Sequence, residues 1–129
     1  MYSADNYWVR FGDNNASIGA TYALVKGMDF APVYFDLTVE PGAQIAAGAE
    51  IGTIEFIPAA YPVIAPAAGK ILESNPLVFA DPDKMADDPY GDGWLYRITQ
   101  TQAEIEAMQD ALMNANEYSA LDAGNCSQN

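Results

Sequence analysis

A chain of 129 residues fits one domain (residues 1–129), and with half of those residues apolar it can bury a real core despite a net charge of −13. Five scattered basic residues, Arg10, Lys26, Lys70, Lys84 and Arg97, cannot form the stripe that neutralises phosphates, which excludes nucleic acid as a partner. The absence of histidine removes the usual general base, the usual metal ligand and every Ser-His or Cys-His pair, and no apolar run approaches the roughly 20 residues of a membrane span.

In chain order, Tyr7-Trp8-Val9-Arg10-Phe11 reads as a strand that ends at the turn cluster Gly12-Asp13-Asn14-Asn15. Residues 16–20 return as a second strand, and a short helical turn is expected over residues 21–26 before Gly27. Residues 32–39 are rich in β-branched and aromatic side chains and are closed by Pro41-Gly42. Ile45 begins a short strand, with Gly48 as punctuation. A hairpin follows, with arms at residues 50–57 and 61–65, then a strand at Gly69-Lys70-Ile71-Leu72-Glu73 and a last one at Trp94-Leu95-Tyr96-Arg97-Ile98.

At Thr101 the apolar period changes from two to about 3.6. Thr101-Gln102-Ala103-Glu104 is a capping box, in which hydroxyl and carboxylate satisfy the orphan amides of a helix start. Ile105, Met108 and Leu112 then form one apolar stripe, suited to core packing or to a partner. The tail, residues 123–129, is expected to fray, and its Cys126, the only cysteine, cannot make an internal disulfide. The N-terminus has neither the basic nor the apolar region of a signal peptide, so cytoplasm is the default location. Short strands, Gly/Pro turns and one late helix indicate a mainly β chain: a flattened barrel or sandwich of two small antiparallel sheets.

Several ordered stretches resemble the H protein of the glycine cleavage system, a lipoyl-carrying member of the biotinyl/lipoyl carrier fold. Trp8-Val9-Arg10 with Gly12-Asp13 is similar to that family's N-terminal strand and turn, and Gly19, Thr21, Tyr22 and Ala23 to its G-I-T-D-Y-A segment. Asp81-Pro82 and Asp88-Pro89-Tyr90-Gly91-Asp92-Gly93-Trp94-Leu95 resemble its N-x-x-P-Y-G-x-G-W-L signature, the most specific match, and Glu117-Tyr118 its C-terminal Glu-Glu-Tyr. The resemblance covers residues 7–121 and implies a β barrel-sandwich hybrid with a displayed hairpin.

It also implies a lipoate acceptor, and there the sequence departs. The family's hairpin reads roughly E-S-V-K-A-A-S-D, with lipoate in amide linkage on the lysine. Here the same register gives Glu55-Phe56-Ile57-Pro58-Ala59-Ala60-Tyr61-Pro62, so Pro58 stands at the acceptor position between Glu55 and Ala59-Ala60. Proline has no primary amine, so neither lipoate nor biotin can be attached there, and no cofactor is expected. Lys70 follows in the next strand, while Lys26 and Lys84 fall in other loops, none at a hairpin tip. Pro58 suits the second residue of a type I or II turn, its φ being fixed near −65°.

Other chemistry is thinner. Asp81, Asp83, Asp87, Asp88 and Asp92 could supply oxygen ligands, but they lack the register of an EF-hand, and a solvated capping loop is the simpler reading, with no metal expected. Phe56, Ile57, Pro58 and Tyr61 form a candidate contact surface. Against it stands the reading in which Ile57 and Val63 pack inward and only Phe56 or Tyr61 is exposed. The acidity serves solubility or salt adaptation, or steers the chain to basic partners.

The sequence therefore implies a non-enzymatic H-like module that cannot carry lipoate and acts by protein–protein contact as scaffold or regulator. Its partner would be a glycine-cleavage component or a second copy. The alternative keeps it in that system as a pseudo-carrier. A new catalytic site ranks below both, because histidine and an evident nucleophile are missing.

Overall fold

The computed structural model describes residues 2–3, 6–12, 15–21, 32–56 and 59–112, without the side chains of Phe56 and Ala59. The strands are β1 (Tyr7–Gly12), β2 (Asn15–Ala20), β3 (Pro32–Leu37), β4 (Gln44–Ile45), β5 (Glu50–Phe56), β6 (Ala59–Ile64), β7 (Gly69–Ser74) and β8 (Tyr96–Thr99). Three helices complete the described chain: α1 (Pro76–Ala80), α2 (Lys84–Asp87) and α3 (Gln102–Ala111). Every strand pair is antiparallel. They form a five-stranded sheet in the order β1-β2-β8-β7-β4 and a three-stranded sheet in the order β3-β5-β6, and neither closes into a barrel.

Period-two patterning puts one face of each sheet into a shared core. Val9, Ile18 and Tyr96 lie in register across the larger sheet, as do Ala16, Ile98 and Ile71, and all six are buried. Phe35 and Ile54 are paired on the smaller sheet and buried against them. β1 breaks the alternation, with Tyr7, Trp8 and Val9 all buried. The cause is a second cover: Trp8 points to the outer face, where its indole N–H donates to the Pro89 carbonyl at 2.8 Å. Gly19 faces Trp8 across the strands, and a Cβ there would lie 2.4 Å from the indole ring.

α3 begins as its sequence predicts. The Thr101 hydroxyl accepts from the Glu104 amide at 3.2 Å, and the Glu104 carboxylate accepts from the Thr101 amide at 2.8 Å. Ile105 and Met108 are buried and Leu112 partly so, which settles the stripe as core packing worth about 2 kcal/mol per buried side chain. Gln44 of β4 donates to Glu104 at 2.6 Å and ties the helix to the sheet edge.

The structure corrects several boundaries. β6 starts at Ala59, two residues before the expected arm, and the last strand is Tyr96–Thr99 rather than residues 94–98. The aspartate cluster at 81–92, read as a solvated capping loop, includes the short helix α2, and α1 lies just ahead of it, a helix not expected from the sequence. Asn75 caps α1 by accepting from the Leu77 amide, and Pro76 occupies the first turn, where its missing N–H costs nothing. Residues 22–26 of the helical turn expected over 21–26, and the tail at 123–129, lie outside the described residues. No helix among those described is long and apolar enough to cross a membrane.

Candidate functional site: the β5–β6 hairpin

β5 and β6 pair Ile54 with Tyr61, Glu55 with Ala60 and Phe56 with Ala59. Two residues, Ile57 and Pro58, separate the last pair, and both lie outside the described residues. By count, Pro58 is third of the four residues from Phe56 to Ala59, not second, because pairing reaches one step further than the sequence suggested. On the other side, β5 approaches β3 closely. A Cβ at Gly52 would sit 2.4 Å from the Asp36 carbonyl, so only glycine fits.

β6 is the edge of its sheet, which is where a strand tolerates a proline. Pro62 has no N–H to offer outward, and its carbonyl accepts from the Tyr7 hydroxyl at 3.4 Å. The same hydroxyl accepts from the Ile64 amide at 3.4 Å. Tyr7, a core residue of the other sheet, thus fastens the base of the hairpin and covers part of its open edge.

The described part of the candidate contact surface is modest. Tyr61 is 38% exposed, while Val63 is fully buried, so the apolar run does not continue outward as a strip. Glu55 and Ala60 are exposed. Tyr34 lies in register with Glu55 and donates to Asp36 at 3.3 Å. Loss of water contact, then the Asp36 and Glu55 carboxylates, pushes its phenol above the usual 10.0. This phenol is protonated at neutral pH and offers neither a base nor a nucleophile.

The remaining candidates are structural. Lys70 is exposed on β7, paired with Gln44 and Thr99 in the other sheet, and Lys84 opens α2, so neither belongs to the hairpin. Asp88 accepts from the Asp92 amide at 3.0 Å and Asp81 from the Asp83 amide at 3.3 Å, which is turn capping. Among the described residues, no group of three or more acidic or cysteine side chains is placed to hold a metal.

Residues 89–95 are stitched to the larger sheet. Trp8 donates to Pro89, the Arg10 guanidinium donates to the Tyr90 carbonyl at 2.7 Å, and the Leu95 amide donates to Ile18 at 2.8 Å. Asn75, 1% exposed, donates to the Asp92 and Trp94 carbonyls at 2.8 Å each. Sequence reasoning missed Asn75, although Asn-Pro ahead of an apolar pair is a helix-start signal. It also missed Arg10, Ser17 and Arg97 as a set, for which no local signal exists.

Two facing antiparallel sheets, a hairpin at the edge of the smaller one and a C-terminal helix define a carrier-type fold of the lipoyl class. The glycine cleavage H-protein family model matches residues 1–123, and the chain belongs to that family. It is 33% identical over 123 residues to the glycine cleavage system H protein of Synechococcus sp., covering 95% of this chain and 92% of that one. It is 37% identical over 121 residues to that of Bifidobacterium longum, covering 93% and 82%. The crystal structure of a glycine cleavage system H protein from Mycobacterium marinum superposes with a TM-score of 0.79 at 30% identity, covering 95% of this chain and 94% of that one.

Proposed function

We propose that this chain is a non-catalytic member of the H-protein family that carries no lipoyl group and works through protein–protein contacts, as scaffold or regulator. One observation carries the reading: Pro58 occupies the position at which the family's hairpin has its acceptor lysine. The pairs Glu55–Ala60 and Phe56–Ala59 support that register on both sides of it. An amide to lipoate needs a primary amine, and the lysines of the described chain, Lys70 and Lys84, belong to other elements. Its partners, on this reading, are the glycine-cleavage components that its relatives' names point to, or a second copy.

Intact mass of the protein from a lipoate-replete host tests the central claim. The unmodified mass is expected, and one added lipoyl increment overturns it. The similarity over 95% of the chain favours a second reading, a pseudo-carrier that stays within the glycine cleavage system. Mixed with the other components, the chain alone should give no glycine-dependent turnover above a blank. Added to a working mixture that contains a lysine-bearing H protein, a pseudo-carrier competes and lowers turnover, whereas a scaffold for some other partner leaves it unchanged.

A further inference from the structure

Four of the five basic residues lie in the described chain, and three of these share the outer face of the larger sheet. Arg10, Ser17, Arg97 and Glu73 form one row across β1, β2, β8 and β7. Lys70 lies in the neighbouring row with Thr99 and Asn15. Two strand spacings, about 9.6 Å, separate the Arg10 and Arg97 backbones, so both guanidinium groups can reach a ligand seated over Ser17.

Each arginine is already held. Arg10 stacks 4.9 Å from the Trp8 ring centroid, and Arg97 stacks 4.1 Å from that of Trp94. Arg97 donates its Nε–H to the Ser17 hydroxyl at 3.2 Å and faces the Glu73 carboxylate at 3.5 Å. Stacking fixes the guanidinium planes, so little side-chain freedom remains to be lost on binding. The described contacts leave most of the N–H donors unused. Between the two side chains lies a concavity of about 290 Å³, lined by Arg10, Phe11, Gly12, Asn15, Ser17 and Arg97. Its lining offers donors of the fork geometry that matches planar or tetrahedral oxyanions.

We propose that this face binds a small multivalent oxyanion, a phosphoryl or polycarboxylate group, clamped by Arg10 and Arg97 over Ser17. Glu73 acts as an internal competitor that holds Arg97 in the empty state. A body of net charge −13 repels anions at long range. Binding therefore rests on the short-range clamp, and a monovalent ion such as chloride does not substitute for it.

The chain contains two tryptophans, Trp8 and Trp94, and each lies under one of the arginines, so intrinsic emission reports the site directly. The full chain is titrated with inorganic pyrophosphate and, separately, with citrate, at ionic strength fixed with sodium chloride. A saturable emission change is expected, and the anion that produces it at lower concentration identifies the phosphoryl or the carboxylate class. Arg10→Gln and Arg97→Gln should each weaken binding about tenfold or more. Glu73→Gln should tighten it severalfold, because a competing carboxylate is removed. Emission unchanged by both anions overturns the proposal, as does an Arg97→Gln variant that folds and binds like the parent. Should the arginine variants unfold, Glu73→Gln decides: unchanged affinity in that variant also overturns it.

Discussion

Residues 89–95 and the β5–β6 hairpin meet the rest of the molecule in opposite ways. The first segment is tied to β1, β2 and the cap of α1 by the side chains of Trp8, Arg10 and Asn75 and by the Leu95 amide. The hairpin is held by backbone pairing of β5 with β3 and, on β6, by two long hydrogen bonds to the Tyr7 hydroxyl near its base, while Glu55, Ala60 and Tyr61 toward its tip are exposed. One segment carries the most specific family motif, and the other carries the position that defines the family's chemistry. Folding depends on particular side chains in the first and mainly on backbone pairing in the second. On the proposed reading, the chain keeps its family's architecture while replacing the acceptor, because fold and site lie in separate regions.

The largest expected effect is at the stitched end. Asn75→Ala removes three hydrogen bonds, among them those to the Asp92 and Trp94 carbonyls, and should cost about 2–4 kcal/mol in urea denaturation. A loss below about 1 kcal/mol would break the comparison. Next comes Gly19→Ala, whose methyl group meets the Trp8 ring while that ring is pinned to Pro89. A destabilisation of about 1–3 kcal/mol is expected, with a shifted tryptophan emission.

Tyr96 sharpens the picture from the core. Its hydroxyl is buried without a hydrogen-bond partner among the described residues, so Tyr96→Phe should be neutral or stabilising by up to about 1 kcal/mol at pH 7. Burial first, and the neighbouring Tyr7 second, push the Tyr96 phenol far above the usual 10.0. Above pH 10 the unfolded chain releases this proton and the folded chain keeps it, so stability falls as pH rises. Tyr96→Phe should remove about 1.4 kcal/mol of that fall between pH 9 and 11, most of it above pH 10, read by denaturation at pH 9, 10 and 11.

The smallest effects belong to the hairpin tip. Pro58→Lys should cost about 0.4–1 kcal/mol through freedom gained by the unfolded chain, and Tyr61→Ser within about 0.5 kcal/mol. A lipoate ligase should modify Pro58→Lys in part, and Phe56→Ser with Pro58→Lys more fully, as read by intact mass. If both fold and neither is modified, the tip has become a different surface and the contact role gains. A loss of several kcal/mol at Tyr61 would place its side chain in the core instead.

Local order was legible and long-range order was not. The α3 start could be read because its capping box lies within four consecutive residues, and β7 because its first four residues alternate inward and outward, ahead of the register shift after Ile71. α1 and α2 span five and four residues, too few for a helical period to show, and each buries a single side chain, Val78 or Met85. The proposed loss at Pro58 rests on its flanks, Glu55 and Ala59-Ala60, which the sequence shows directly. The arginine row was invisible, since only the pairing of β1 with β2 and of β2 with β8 brings Arg10 beside Arg97.

The order of strands also sets an order in time. All three strands of the smaller sheet lie within residues 32–64 and can pair while the rest of the chain is still being synthesised. The larger sheet cannot, because β2 waits for β8, whose last residue is Thr99. Until then Val9 and Ile18 lack the β8 part of their core, Trp8 on the opposite face lacks its Pro89 partner, and the outer edge of β2 is open. A nascent chain stalled before residue 96 therefore displays a complete small sheet beside a sticky β1–β2 hairpin, the form most in need of a chaperone.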